Sequence, residues 1–155
     1  MKKTIENFAQ EFLEKSKTKK TTIISHHDTD GITSAAILAR ALERLDRIFS
    51  IQIVKQLELD FIETLPKDSI IIFADLASSL LVNFKDFPDI FIIDHHEILI
   101  PHSEIPTNIR LINPHIFNEE SIAASGLAYL FAKALNPGNI DLANLAVIGM
   151  VGDSQ

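Results

Sequence analysis

The stretch TTIISHHDTDGITSAAILARALERLDR, residues 21–47, decides the fold. It opens as a short apolar run, TTIIS (21–25), and passes through the polar knot HHDTDG (26–31). It then continues as ITSAAILARALERLDR (32–47), whose Ala, Leu and Arg favour a helix. Strand, polar turn and helix in that order begin a βαβ unit. Four more runs have the same apolar character: FSIQIV (49–54), SIIIFA (69–74), DIFII (89–93) and IRLI (109–112). They are rich in isoleucine and do not strictly alternate, as expected of parallel strands buried on both faces. Upstream, Ile5, Phe8, Phe12 and Leu13 recur at helical spacing after Thr4, a candidate N-cap, and predict an amphipathic helix over 5–16. Shorter helices are expected over 59–65 and 80–87, and a longer one over 121–135 that stops at Asn136-Pro137-Gly138. A last helix is expected from Asp141 to about Val151. The expected fold is α/β: a doubly wound, mainly parallel five-stranded sheet with helices on both faces.

Composition narrows the function. A chain of 155 residues with 46 % hydrophobic and 23 % charged residues is an ordinary globular domain. The absence of cysteine excludes a disulfide scaffold, a thiolate zinc site and a cysteine nucleophile. No apolar run approaches the roughly 20 residues of a membrane span. The N-terminus lacks the apolar core of a secretion signal, so a cytoplasmic protein is expected. Net charge is −7, divided as +3 over residues 1–20 and −10 over residues 21–155. Such an acidic body repels nucleic acid unless something neutralises it. Bound divalent cations would do so locally. The lysines of KSKTKK (15–20) read as a solvated helix end.

The polar residues fall where ligands bind in parallel sheets, just beyond the carboxyl ends of the strands. TTIIS runs into His26-His27-Asp28-Thr29-Asp30-Gly31, and SIIIFA into Asp75. DIFII runs into Asp94-His95-His96, IRLI into Asn113-Pro114-His115, and the last helix into Asp153. Taken singly, each has a plain structural reading. Asp30 or Gly31 can cap a helix, Asp75 and His115 can sit in turns, and His102 can be a surface residue. Jointly they deliver carboxylates and imidazoles to one edge. Those are the ligands taken by manganese, magnesium, iron or zinc. His26, Asp28 and Asp30 alternate, and in an extended turn they would point one way. Without a cation such close carboxylates repel, and one is forced to protonate.

These motifs resemble the DHH phosphoesterase family. The naming triplet is Asp94-His95-His96 in IIDHHE; SHHDTDGITSAA resembles the first motif, FADLASS the second at Asp75, and VIGMVGDSQ the fourth at Asp153. NPH (113–115) and AASGLAYLFAKAL (123–135) resemble intervening segments. Asp28-Thr29-Asp30-Gly31-Ile32-Thr33-Ser34 is similar to the RecJ-type single-strand exonucleases, and His26 with Gly152-Asp153-Ser154-Gln155 to the archaeal RecJ-like proteins. The resemblance implies two divalent cations, manganese or magnesium. One would be held by His26, Asp28 and Asp75, the other by Asp30, Asp75, His95 and Asp153, with Asp75 bridging. It implies that His96 polarises the phosphate or protonates the leaving oxygen, and that Asp94 orients a histidine. His115, Ser125 and Gly126 are expected at the substrate, the last two offering backbone N–H groups to a phosphate. His27 is expected to face away. The implied activity is a phosphodiesterase or exonuclease on single-stranded DNA or RNA, with replication or repair proteins as further partners. A small-substrate phosphatase (on a dinucleotide or nucleoside bisphosphate) and a replication scaffold stand as alternatives. Family members carry a second, substrate-binding domain beyond the fourth motif. On that resemblance residues 1–155 are the catalytic half, expected to be weakly active alone.

Overall fold

The fold is set by one all-parallel sheet whose strands end level with one another. The computed structural model describes residues 1–117 and 119–154; Gln155, the last residue of the fourth motif, lies outside them. The strands are β1 (Thr21–His26), β2 (Phe49–Val54), β3 (Ile70–Ala74), β4 (Ile90–Ile93) and β5 (Ile109–Ile112), in the order β2-β1-β3-β4-β5. Every neighbouring pair is parallel. The chain therefore winds outward in both directions from β1, and the switch point lies between β1 and β3. Ser25, Ala74, Ile93 and Ile112 are partners in one row. The next position on each strand is then His26, Asp75, Asp94 and Asn113, a row of polar residues along the carboxyl edge.

Apolar strand residues alternate between two cores. Ile23, Ile72, Ala74, Phe91, Ile93 and Ile112 pack under helices α1 (Lys2–Lys15), α2 (Thr29–Arg44) and α4 (Ala124–Leu135). There Phe8 and Phe12 meet Phe91 and Phe131 edge-on, with ring centroids 4.9–5.6 Å apart. Ile24, Ile71, Phe73, Ile90, Ile92 and Leu111 face the other core. That face is covered by the short helix α3 (Leu59–Glu63) and 3₁₀ turns, so the helix expected over 80–87 is a 3₁₀ turn, Leu81–Phe84. Helix α5 (Ala143–Gly152) follows another 3₁₀ stretch, Pro137–Leu142.

Three local expectations are corrected. Helix α1 starts at Lys2 with Met1 as its cap, so Thr4 lies inside it and donates its N–H to Met1. Strand β2 is not buried on both faces: it is the sheet edge, with Ile51 43 % and Ile53 46 % exposed. The lysines of 15–20 are not all solvated. Lys15 and Lys19 reach the buried carboxylate of Asp89 at 2.6 and 2.5 Å, tying the end of α1 to the start of β4. Burial pushes the Asp89 carboxyl up, but the two ammonium groups outweigh it and hold the group below its usual range.

Asp89→Asn should therefore lower stability by about 1–3 kcal/mol at neutral pH. A depressed folded pKa contributes stability above the unfolded value, near 4, that is lost as pH falls through the folded value. The gap between parent and variant should close on acidification below about pH 4 in paired denaturant titrations. A gap independent of pH would count against the ion-pair account.

Candidate metal centre

Strand β1 ends at His26, and the chain turns at once into α2. Asp28 caps that helix, its carboxylate accepting the Gly31 N–H at 2.9 Å. The cap is Asp28, and Asp30 and Gly31 lie in the first turn of α2. The close approach needs glycine: a Cβ on Gly31 would stand 2.3 Å from the His26 carbonyl oxygen. Asp28 thus caps the helix and also presents its second oxygen to His26 Nδ1, 2.8 Å away.

Asp75 follows β3 in a left-handed conformation, φ 60°, and Ala77 is at φ 92°. Such backbone costs of order 1–3 kcal/mol per residue and persists where its surroundings demand it. Here the reversal buries the Asp75 carboxylate, 2 % exposed, at the centre of the site. Its Oδ2 lies 3.4 Å from His26 Nδ1, and its Oδ1 lies 3.3 Å from His95 Nε2 and 3.9 Å from His96 Nδ1.

Asp30 does not point with His26 and Asp28, because the helix turns it inward. It is buried, and both of its oxygens accept backbone N–H groups from the start of α4: Ala124 at 2.7 Å and Ser125 at 2.9 Å. The Ser125 N–H expected at a phosphate is therefore already engaged. Ser125 itself is fully buried, its hydroxyl donating to Ala146. Gly126 is also buried; a Cβ there would meet Ile122 at 2.7 Å and Met150 at 3.5 Å, so it serves helix packing. Asp153 arrives from α5, which seats closely because a Cβ on Gly149 would stand 2.3 Å from both Thr33 Oγ1 and Ser125 Oγ. Asp153 Oδ2 lies 3.9 Å from His95 Nδ1, and Asp30 Oδ2 lies 4.0 Å from His95 Nε2.

Three sets of potential ligand atoms result, each within 4.8 Å of one another: His26–Asp28–Asp75, Asp30–His95–Asp153 and Asp75–His95–His96. Three buried atoms among them, His26 Nδ1, Asp75 Oδ2 and His95 Nε2, make no well-aligned hydrogen bond, although facing polar atoms stand 2.8–3.4 Å away. Buried polar atoms are almost always satisfied, so orphaned nitrogens and a carboxylate oxygen facing one another fit a divalent cation. Burial first, with the charges of Asp30 and Asp28, pushes the Asp75 carboxyl up to about 6, against the pull of His95. The Asp75 contact raises His95.

His96 is half-exposed at the mouth. Its Nδ1 is 2.7 Å from Asp94 Oδ1, which raises the imidazole to about 9 and leaves it cationic at neutral pH. Asp94 is fully buried and also accepts the N–H groups of Ser78, His95 and His96. Burial pushes this carboxyl up too, but the His96 contact and these donors outweigh it and hold it low. His115 flanks the site through the His95 carbonyl. His27 is exposed, its ring edge-on to His26, and His102 lies in an exposed 3₁₀ turn. Beside the site lies a cleft of about 510 Å³ lined by His26, Lys55, Leu57, Leu76, Leu80 and His96. Sequence reasoning missed Lys55 and Ser78, and placed Asn113 at the edge without giving it a role. Lys55 follows β2 as the site residues follow their strands, which was the available signal.

Comparison with known proteins agrees with this architecture. The family described as "DHH family, N-terminal domain" matches residues 20–150. The chain is 39 % identical over 142 residues to an uncharacterized protein of Methanocaldococcus jannaschii, covering 86 % of this chain and 32 % of that protein. It thus spans about a third of that relative's length. Among solved structures, an exonuclease RecJ bound to manganese superposes with a TM-score of 0.81 at 20 % identity, over 96 % of this chain and 43 % of that one. RecJ from Thermus thermophilus in complex with Mn2+ gives 0.79 at 21 %, over 97 % and 24 %. CDC45 from Entamoeba histolytica gives 0.75 at 24 %, over 99 % and 34 %.

Asp75→Asn should stabilise the metal-free protein at pH 7 by about 1–3 kcal/mol, because it removes a carboxylate that folding forces into a dry, like-charged place. A raised folded pKa makes the parent lose stability as pH rises from about 4 to 6, so the variant's advantage should appear over that window and vanish below it. The same variant should lose the rise in melting temperature that manganese gives the parent. Equal melting temperatures at pH 7 without metal would contradict the crowding at Asp75.

Proposed function

The chain belongs to the DHH family, N-terminal domain, and from that premise we propose that it is a metal-dependent phosphodiesterase acting on single-stranded DNA or RNA. The observation that carries this reading is the meeting of three ligand sets around Asp75, with buried nitrogen and oxygen atoms left unpaired among them. One cation would be held by His26, Asp28 and Asp75, and a second by Asp30, Asp75, His95 and Asp153, so that Asp75 belongs to both sets. Bound there, manganese by preference or magnesium would supply Lewis-acid activation of the phosphoryl group and of water at neutral pH.

The chain's own groups do the rest. Asp28 is held by its cap bond to Gly31, and Asp30 by two N–H groups of α4, so neither carboxylate has to reorganise on binding. Cationic His96, anchored by Asp94, binds a phosphate oxygen at the mouth and gives a proton to the leaving oxygen. Lys55 offers a second positive charge to the backbone of a strand lying in the cleft. The hydrolysed bond is P–O; water supplies the hydroxyl that ends on phosphorus. The Asp-x-Asp-Gly-x-Thr-Ser form of residues 28–34 favours the nuclease over the small-substrate phosphatase. The presence of every expected ligand favours an enzyme over a scaffold. Replication or repair proteins are the proposed partner class, in the cytoplasm.

The test is a ladder of labelled oligonucleotides, from dimers upward, incubated with manganese. Longer single strands should be cut, EDTA should abolish cutting, and ATP should have no effect. Asp75→Ala should reduce activity to background, whereas His102→Ala should leave it near normal. Turnover that survives exhaustive chelation would overturn the mechanism. Hydrolysis confined to dimers would move the assignment to the small-substrate phosphatase.

A further inference from the structure

The Asn113-Pro114-His115 turn has no part in the chemistry proposed above, yet it is wired to the centre of the site. Asp94 keeps one backbone bond to β5, its N–H to the Ile112 carbonyl at 3.1 Å, but His95 and His96 lie beyond it, outside any helix or strand. Their N–H groups go to the Asp94 carboxylate, and their carbonyl oxygens are held from the end of β5. Asn113 is fully buried, one step past the row that aligns Ile93 with Ile112, and is therefore beside Asp94. Its Nδ2 donates to the His96 carbonyl at 2.9 Å and to Ser78 Oγ at 2.9 Å, and its Oδ1 accepts the His115 N–H at 3.0 Å. The His115 Nε2 in turn lies 3.1 Å from the His95 carbonyl oxygen, so the Nε2–H tautomer donates there. Ser78 completes the loop by giving its N–H to Asp94 Oδ2 at 2.9 Å.

We infer that the Asn113–His115 turn positions the two histidines by holding their carbonyl oxygens, with His115 acting through His95 rather than on substrate. Two consecutive peptide groups tied from one side cannot rotate, and the imidazoles they carry keep their places. The chemistry of the position calls for an amide. One side chain must offer two N–H donors and one acceptor, which Asn does and neither Asp nor Leu can. The kinetic readout of this inference rests on the phosphodiesterase reading, but its metal readout does not.

The experiment compares Asn113→Ala, Asn113→Asp, His115→Ala and His115→Gln with the parent. It measures manganese affinity by calorimetry, kcat and KM at saturating manganese, and the melting temperature. Both Asn113 variants should bind manganese roughly tenfold or more weakly, the range seen when groups orienting metal ligands are removed. Their kcat should fall with KM little changed. His115→Ala should behave likewise, while His115→Gln, whose amide can donate from nearly the same place, should recover both properties. A purely structural role would lower the melting temperature and leave metal affinity and kcat alone; that result overturns the inference. So does a His115→Gln variant as impaired as His115→Ala, because the imidazole would then act in its own right. If Asn113→Ala fails to fold, Asn113→Asp, which keeps the bond from the His115 N–H, and the His115 pair decide the matter. A parent that binds manganese but cuts no strand defeats the phosphodiesterase reading, while calorimetry still decides the positioning.

Discussion

Everything at the carboxyl edge of this sheet depends on one crowded carboxylate. Asp75 is buried against His26, His95 and His96, and it feels the charges of Asp28 and Asp30. The residue is almost wholly buried and no well-aligned hydrogen bond completes its Oδ2. Burial and like charge both disfavour ionisation there, and two half-satisfied imidazoles do not compensate. A fold selected for stability alone would place an amide or a small polar residue at this position. The left-handed backbone at Asp75 and Ala77 adds a second cost at the same place. Two unfavourable features coinciding at a topological switch point indicate that the energy balance is meant to be closed by something cationic.

The surrounding elements are arranged to keep that arrangement from relaxing. Close helix approach at Gly31 and Gly149 brings α2 under β1 and α5 against α2 and α4, which sets Asp28 beside His26 and Asp153 beside His95. The N-terminus of α4 is spent on Asp30, an internal anion, so it is not available to an external phosphate. The helix start expected to meet a phosphate lies near the site with its Ala124 and Ser125 N–H groups on Asp30. The buried carboxylate reaches those N–H groups first.

The legible part of the sequence was the sheet. Five isoleucine-rich runs became five parallel strands, and the polar residues that follow them reached one edge, because period and burial alone fix both. What stayed hidden depended on pairings distant in sequence. Nothing local says that FSIQIV is an edge strand, since the same six residues would suit a centre. Nothing local says that Asp89 will gather Lys15 and Lys19 from across the sheet, or that Asn113 will find Ser78 and His96. The direction of Asp30 was missed for a different reason. The alternation rule applies to extended chain, and α2 begins at Thr29, before that residue.

The charge distribution links these local facts to the order of events at the site. The body from residue 21 onward carries −10, and a nucleic acid approaching it meets repulsion at every distance inside the screening length. Along the cleft, Lys55 and cationic His96 are opposed by Asp75, Asp94 and Glu97, so the walls do not attract a phosphodiester by themselves. The two divalent cations proposed for the ligand sets would reverse the sign of the field at the carboxyl edge. The same ions that would relieve Asp75 would then be the ones to admit the proposed polyanion. On the proposed reading metal would bind before substrate, and the acidic body would confine productive contact to the metal-loaded edge.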